Sequence, residues 1–199
     1  MSARPKVAFQ GEHGAFSEEA ALRLLGARIR LVARPTLASL FLAIKEDAAD
    51  ALIVPVENSL SGPIEQAQDL FANSGLVAMA EIEHRIVQNL IGLPSAKFMD
   101  VAFVQSHPVA LAQCGRFFRD APWIKPVEAE DTAGSVRAVM ARGDLRWEAL
   151  GSKRAAWIYG GKILREHVED GRDNYTRFLL LARTEETFSA LAMPGHALA

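Results

Sequence analysis

The sequence has little to cross-link it: one cysteine, Cys114, in 199 residues. A lone thiol forms no internal disulfide, which fits a reducing compartment. Net charge is also nearly absent, with 22 Lys and Arg against 24 Asp and Glu, a formal balance of -2. No basic field draws in nucleic acid or an anionic membrane. No apolar run approaches the roughly 20 residues that span a bilayer. The opening Met-Ser-Ala-Arg-Pro-Lys has no apolar core or cleavage site of a signal peptide. The chain reads as a cytoplasmic protein. Several catalytic signatures are missing too. Gly11-Glu-His-Gly14 is not a dinucleotide fingerprint, and no phosphate-loop motif occurs, so no nucleotide cofactor is expected. His13, His84, His107, His167 and His196 show no compact ligand spacing, so no metal is expected. No Gly-x-Ser-x-Gly elbow occurs, and Cys114 falls inside an expected helix, which leaves nucleophilic hydrolysis unsupported.

Half of the residues are hydrophobic, enough for a real core. Strand and helix patterns alternate. Strands are predicted over 6–10, 29–33, 51–56, 76–88, 101–105 and 177–182, with 89–93 continuing the fourth and a brief strand starting at Val127. Helices are predicted over 17–25, 37–46 (Thr36 as N-cap), 63–73, 108–119, 133–141 and 152–159. Such alternation implies an α/β fold with largely parallel sheets. Phe117, Phe118, Trp123, Trp147 and Trp157 do not interleave with basic residues, which points to core packing or a subunit contact.

One local design recurs: strand, short polar loop, helix start. It occurs at 7–17, with Ser17 as cap; at 53–63, with Pro63 at the first helical position; at 101–108, with Pro108 there; and at 127–134, with Thr132 as cap. Unpaired N–H groups and the helix dipole make such starts suited to anions. Loops at the carboxyl ends of strands are also where open α/β sheets bind ligands. Four converging starts would suit a small molecule with more than one carboxylate.

The segment Asn174-Tyr175-Thr176-Arg177-Phe178 resembles the hallmark Thr-Arg-Phe segment of prephenate dehydratases. Companion motifs follow the family's order. Glu57-Asn58-Ser59 with Gly62 is similar to its Glu-Asn-Ser-x-x-Gly loop, and Ser106-His107-Pro108 through Gln113-Cys114 to its Ser-His-Pro helix start. Asp131-Thr132-Ala133 matches its Thr-Ala start, and residues 11–21 resemble its opening Gly-x-x-Gly segment. Ala15 stands where the family usually has threonine. The resemblance covers about 6–183. Nothing resembles the regulatory ACT domain of many members, so the chain is either a short form or a piece of a longer one.

The resemblance implies a two-lobed α/β fold like type II periplasmic binding proteins, with the active site in the inter-lobe cleft. One lobe is expected at about 6–83 and 167–183, the other at about 84–166, with 184–199 as a tail or linker stub. It implies a dehydratase converting prephenate to phenylpyruvate without cofactor or metal, as a homodimer. Thr176 is expected to donate a hydrogen bond to the departing hydroxyl. Asn58, Ser59, Gly62, Ser106, Gln113, Thr132, Ala133, Asn174, Arg177 and Phe178 are expected to bind substrate. Gln113 could instead brace the loop, and Arg177 could pair with a protein carboxylate. Glu57 is expected to be an acid, if buried, or an acceptor for loop N–H groups. Thr176 and Phe178 share a strand face opposite Arg177. The alternatives are an arogenate dehydratase, whose substrate carries an amino group for the keto group, and a binding-only protein for a small carboxylate.

Overall fold

The computed structural model describes residues 4–184. These residues divide into two compact units. The first holds 4–10, 17–84 and 175–184; the second holds 11–16 and 85–174. The tail expected over 184–199 lies, apart from Thr184, outside the described residues.

The first unit is built on a six-stranded sheet of order β2-β1-β3-β11-β5, with β4 paired to β3. Its strands are β1 (Lys6–Gln10), β2 (Arg30–Arg34), β3 (Ala51–Asn58), β4 (Gly62–Pro63), β5 (Val77–Arg85) and β11 (Tyr175–Ala182). β1 runs parallel to β2 and β3, whereas β11 runs antiparallel to β3. The central strands are apolar because both faces are covered: Leu52, Ile53, Val54, Leu180 and Leu181 are all buried. Helices α1 (Phe16–Leu25), α2 (Leu37–Lys45) and α3 (Glu65–Ala72) complete the unit. α2 starts where Thr36 and Ser39 cap each other reciprocally, and it buries Leu37, Leu40, Phe41 and Ile44, a helical stripe.

Proline has no N–H to give a ladder, so inside a sheet it sits at an edge or a bulge. Pro55 lies in β3 opposite Phe178 of β11, and the register between β3 and β11 shifts beside it. Phe178 stands opposite Pro55, but Arg177 stands opposite Glu57, so Val56 is the extra, bulged residue. Its carbonyl turns to Ile64 N and Gln68 Nε2.

The second unit carries a five-stranded sheet of order β10-β6-β9-β7-β8. The strands are β6 (Asn89–Gly92), β7 (Phe103–Ser106), β8 (Lys125–Glu128), β9 (Trp147–Gly151) and β10 (Lys162–Arg165). Its helices are α4 (Pro108–Ala112), α5 (Gly115–Asp120), α6 (Thr132–Arg142) and α7 (Lys153–Tyr159). Leu90, Val104, Leu111, Cys114, Phe117, Leu150 and Val168 form its core. No helix among the described residues is long and apolar enough to cross a membrane.

Several expectations need correction. The sheets are mixed rather than largely parallel, since β11, β6 and β10 all pair antiparallel. β9, absent from the sequence reading, is the centre of the second sheet. Residues 89–93 do not continue β5; β6 belongs to the other sheet. Pro63 is paired with Glu57 in β4, and α3 begins after Ile64. The expected helix over 108–119 is two helices, because Cys114 N–H bonds back three residues to Leu111 and the chain turns there. Ser17 lies within α1 and donates its hydroxyl to Gln10 O rather than capping. Residues 167–174 group with the second unit, held by Val168 N to Gln88 O and Asp170 N to Gln113 O.

Candidate active site

In the first unit the β3–β4 connection and the start of β11 are tied together. Past the bulge, Asn58 stands opposite Thr176. Asn58 Oδ1 accepts from Leu60 N and Ser61 N, both at 3.0 Å, which folds the loop over its own side chain. Its Nδ2 donates to Tyr175 O at 3.1 Å and to Thr176 Oγ1 at 3.0 Å. Ser59 adds a reciprocal pair with Tyr175: Ser59 N donates to Tyr175 O at 2.8 Å, and Tyr175 N donates to Ser59 Oγ at 2.9 Å. Gly62 closes the loop at φ +80°, a left-handed conformation that favours glycine. The Thr176 side is almost closed off, with Thr176 7% and Asn58 9% exposed.

The neighbours in the motif do other work. Arg177 lies on the opposite strand face and pairs with Glu57 at 3.0 Å and Glu81 at 3.5 Å, both in its own unit. Its carboxylate partners are therefore protein groups. Glu57 is half exposed, so the burial that an acid role required is missing. Nor does it receive the loop N–H groups: those of Leu60 and Ser61 go to Asn58 and that of Ser59 to Tyr175 O. Phe178 is buried and meets the His84 ring edge-on at 6.4 Å, and His84 in turn contacts Glu19 at 3.0 Å.

In the second unit Ser106 lies against β9, whereas Gln113 and Asn174 pair with each other. Ser106 is fully buried and donates its hydroxyl to Leu150 O at 3.2 Å, which commits it to the protein. Asn89 Nδ2 donates to Gly151 O at 3.1 Å. Ser152 Oγ donates to Gly14 O at 2.7 Å and accepts from Ala155 N at 2.9 Å, capping α7. Gln113 ends α4; its Oε1 accepts from the buried Asn174 at 2.9 Å and its carbonyl from Asp170 N at 2.7 Å. Gln113 therefore braces the segment before β11.

The helix starts are largely satisfied from within. Asp131, not Thr132, caps α6: its carboxyl oxygens accept from Ala133 N and Gly134 N, each at 2.9 Å. Burial pushes the Asp131 carboxyl above its ordinary range and the Glu12 charge adds to this, against the lowering effect of backbone N–H bonds from Gly134, Ala133 and Glu12. His107 Nδ1 accepts from Val109 N at α4, where Pro108 has no N–H to offer. Ala133 is buried behind its cap, whereas Thr132 remains partly exposed at the first turn. Four open anion-binding starts are thus not what the fold provides. Sequence reasoning missed Asp131, Asn89 and Ser152. The Asp-x-x-Gly spacing at 131–134 was a usable signal, because a Cβ on Gly134 would lie 2.5 Å from Asp131 Oδ2.

The sequence matches the family described as prephenate dehydratase over residues 7–186. It is 36% identical over 178 residues to arogenate dehydratase/prephenate dehydratase 1, chloroplastic, of Arabidopsis thaliana, covering 89% of this chain and 45% of that protein. It is 32% identical over 195 residues to a bifunctional N-acyl-homoserine lactone acylase/prephenate dehydratase of Komagataeibacter europaeus, covering 98% and 68%. A crystal structure of prephenate dehydratase in complex with L-Phe from Arthrobacter aurescens superposes with a TM-score of 0.83 at 25% identity, over 96% of this chain and 63% of that one. An ABC transporter periplasmic substrate-binding protein from Coxiella burnetii, 16% identical over 96% and 92% of the two chains with a TM-score of 0.50, shares the fold alone. The chain spans about half the length of the curated relatives it matches.

Proposed function

The chain belongs to the prephenate dehydratase family, and we propose that it converts prephenate to phenylpyruvate, with release of carbon dioxide and water, in phenylalanine synthesis. The observation that carries this reading is the Thr176 hydroxyl, nearly buried and contacted on its oxygen by Asn58.

The chemistry explains why one hydroxyl matters. Breaking the ring–carboxylate bond releases carbon dioxide and leaves its electron pair to form the aromatic ring. The same electron flow expels the ring hydroxyl, which takes up a proton and leaves as water. Aromatisation supplies the driving force. Hydroxide is a poor leaving group, so a hydrogen bond that strengthens as negative charge grows on the departing oxygen lowers the barrier. A threonine hydroxyl is too weak an acid to surrender its proton readily, but it is a good fixed donor. In the second unit, taken by itself, Thr132 and the Nε2 of Gln113 are the groups we assign to a carboxylate; Ser106, spent on Leu150 O, has a structural role. Asn174 acts through Gln113.

The test is phenylpyruvate formation from prephenate by the parent chain and by Thr176→Ala, each checked for folding. The variant is expected to lose about 10²–10³ in kcat, the usual loss on removing one such donor. Full activity in the variant would move the donor role elsewhere. An inert parent would favour the binding-only reading. Arogenate, run in parallel, separates the two dehydratase substrates, because the Arabidopsis relative's name carries both activities. We also propose a cytoplasmic homodimer, since Trp157 (78% exposed) and Met99 (77% exposed) are unusually open for apolar residues. Light scattering that found only monomer at micromolar concentration would remove the dimer.

A further inference from the structure

We propose that Asn58 is a positioning residue that fixes which way the Thr176 hydroxyl points, and is not a ligand of the substrate. The inference rests on the reading of Thr176 as the donor.

It follows from counting what an amide can do. A carboxamide has two N–H donors and one oxygen with two lone pairs. All four are engaged on protein atoms: Leu60 N and Ser61 N give to Oδ1, and Nδ2 gives to Tyr175 O and Thr176 Oγ1. The orientation of the amide is not arbitrary. Backbone N–H groups can only donate, so the atom facing Leu60 and Ser61 must be the oxygen. Tyr175 O can only accept, so the other must be the nitrogen. The contact to Thr176 therefore has one possible sense: Asn58 gives and Thr176 Oγ1 accepts. The threonine proton is excluded from that line and must point to another acceptor. Among the described residues Thr176 Oγ1 has no other hydrogen bond, so the proton is available to a ligand. Accepting from Asn58 also polarises the O–H bond.

The ligand atom at Thr176 must consequently be a hydrogen-bond acceptor, as a departing hydroxyl oxygen is. The loop 58–62 sets this polarity: the two N–H groups that hold Asn58 belong to the residues after it.

Asn58→Asp reverses the polarity with almost no change of shape. An ionised carboxylate still accepts from Leu60 N and Ser61 N, but its second oxygen accepts the Thr176 proton and turns the hydroxyl inward. Protonation of that carboxyl restores a donor. We expect kcat of the variant to fall about 10²-fold at neutral pH, comparable to losing a transition-state donor, with KM within a few-fold of the parent. The ratio of variant to parent kcat should rise as pH falls through the titration of the introduced carboxyl. Asn58→Asp combined with Thr176→Ala should be no slower than Thr176→Ala alone.

A raised KM with kcat kept would make Asn58 a substrate ligand and overturn the inference. A loss of kcat that ignores pH would overturn it as well. If Asn58→Asp does not fold, Asn58→Ala carries the test through the same division between kcat and KM. Activity surviving in Thr176→Ala would instead sink the donor reading itself, and is seen before any Asn58 variant is made.

Discussion

Glu148 is the group most exposed to a direct test of stability. It sits in β9 with no solvent exposure, paired in register with Val104, and neither carboxyl oxygen has a hydrogen-bond partner among the described residues. A buried carboxylate with no partner is strongly disfavoured against the neutral acid. Burial first, then the charges of Asp100 and Asp144, push its carboxyl up to about 8 from an ordinary 4.5. The sign follows from proton counts. Between those two values the folded state keeps a proton that the unfolded state has lost, so stability falls as pH rises. The contribution is whole below about 4.5, declines up to about 8 and is flat above. Each pH unit of that window is worth about 1.4 kcal/mol, which amounts to roughly 3–5 kcal/mol in all. Glu148→Gln keeps the shape and removes the titration. All three tryptophans, Trp123, Trp147 and Trp157, lie in the second unit, and Trp147 stacks on Phe103 at 4.6 Å right beside the site. Urea unfolding followed by tryptophan fluorescence from pH 5 to 9 therefore reports this unit. The difference between parent and variant cancels every other titrating group. The parent should lose several kcal/mol relative to the variant across that range. Parallel pH profiles for the two would mean that Glu148 is not held neutral, and would refute the reasoning.

Gly14→Ala should destabilise by about 2–4 kcal/mol, because a Cβ there meets Ala155 Cα at 2.6 Å and φ is +92°. The obstruction is backbone, so Ala155→Gly should not rescue it; thermal unfolding within about 0.5 kcal/mol of the parent would count against the packing described. Arg177→Met removes a half-exposed pair with Glu57 and Glu81. It should cost at most about 1 kcal/mol and leave kcat near the parent value. A large loss of kcat with KM unchanged would show that Arg177 leaves its partners and acts on the substrate.

The apolar runs gave the first sheet away. Residues 6–10, 51–56 and 177–182 read as strands because both faces are covered and nearly every position is apolar. β9 stayed hidden for the opposite reason. Its five residues, Trp147-Glu-Ala-Leu-Gly151, put an acid at a fully buried position, which breaks the pattern that periodicity depends on. Motif order placed Thr176 and Asn58 correctly in one neighbourhood. It could not separate a residue that touches a ligand from one that holds another residue, since both leave the same letters. Ser106 and Asp131 show this: each belongs to a motif, and each is spent on backbone atoms of its own unit. The antiparallel course of β11 and the split at Cys114 depend on tertiary pairing, which local propensity does not carry.

The proline in the centre of β3 links these threads. Without a bulge, the register set by Phe178 opposite Pro55 and Leu179 opposite Val54 would continue to Arg177 opposite Val56 and Thr176 opposite Glu57. A one-residue slip exchanges the faces of every side chain beyond it. Thr176 would then stand opposite a carboxylate, which accepts protons and would draw the hydroxyl inward. Pro55 cannot complete the ladder, Val56 bulges, and the slip moves Glu57 opposite Arg177, where the two pair at 3.0 Å. Asn58, which can donate, takes the place opposite Thr176. The Val-Pro-Val-Glu-Asn segment thus sets the direction of one proton through a missing N–H three residues away. The ion pair at 3.0 Å holds the acid opposite Arg177 rather than opposite Thr176.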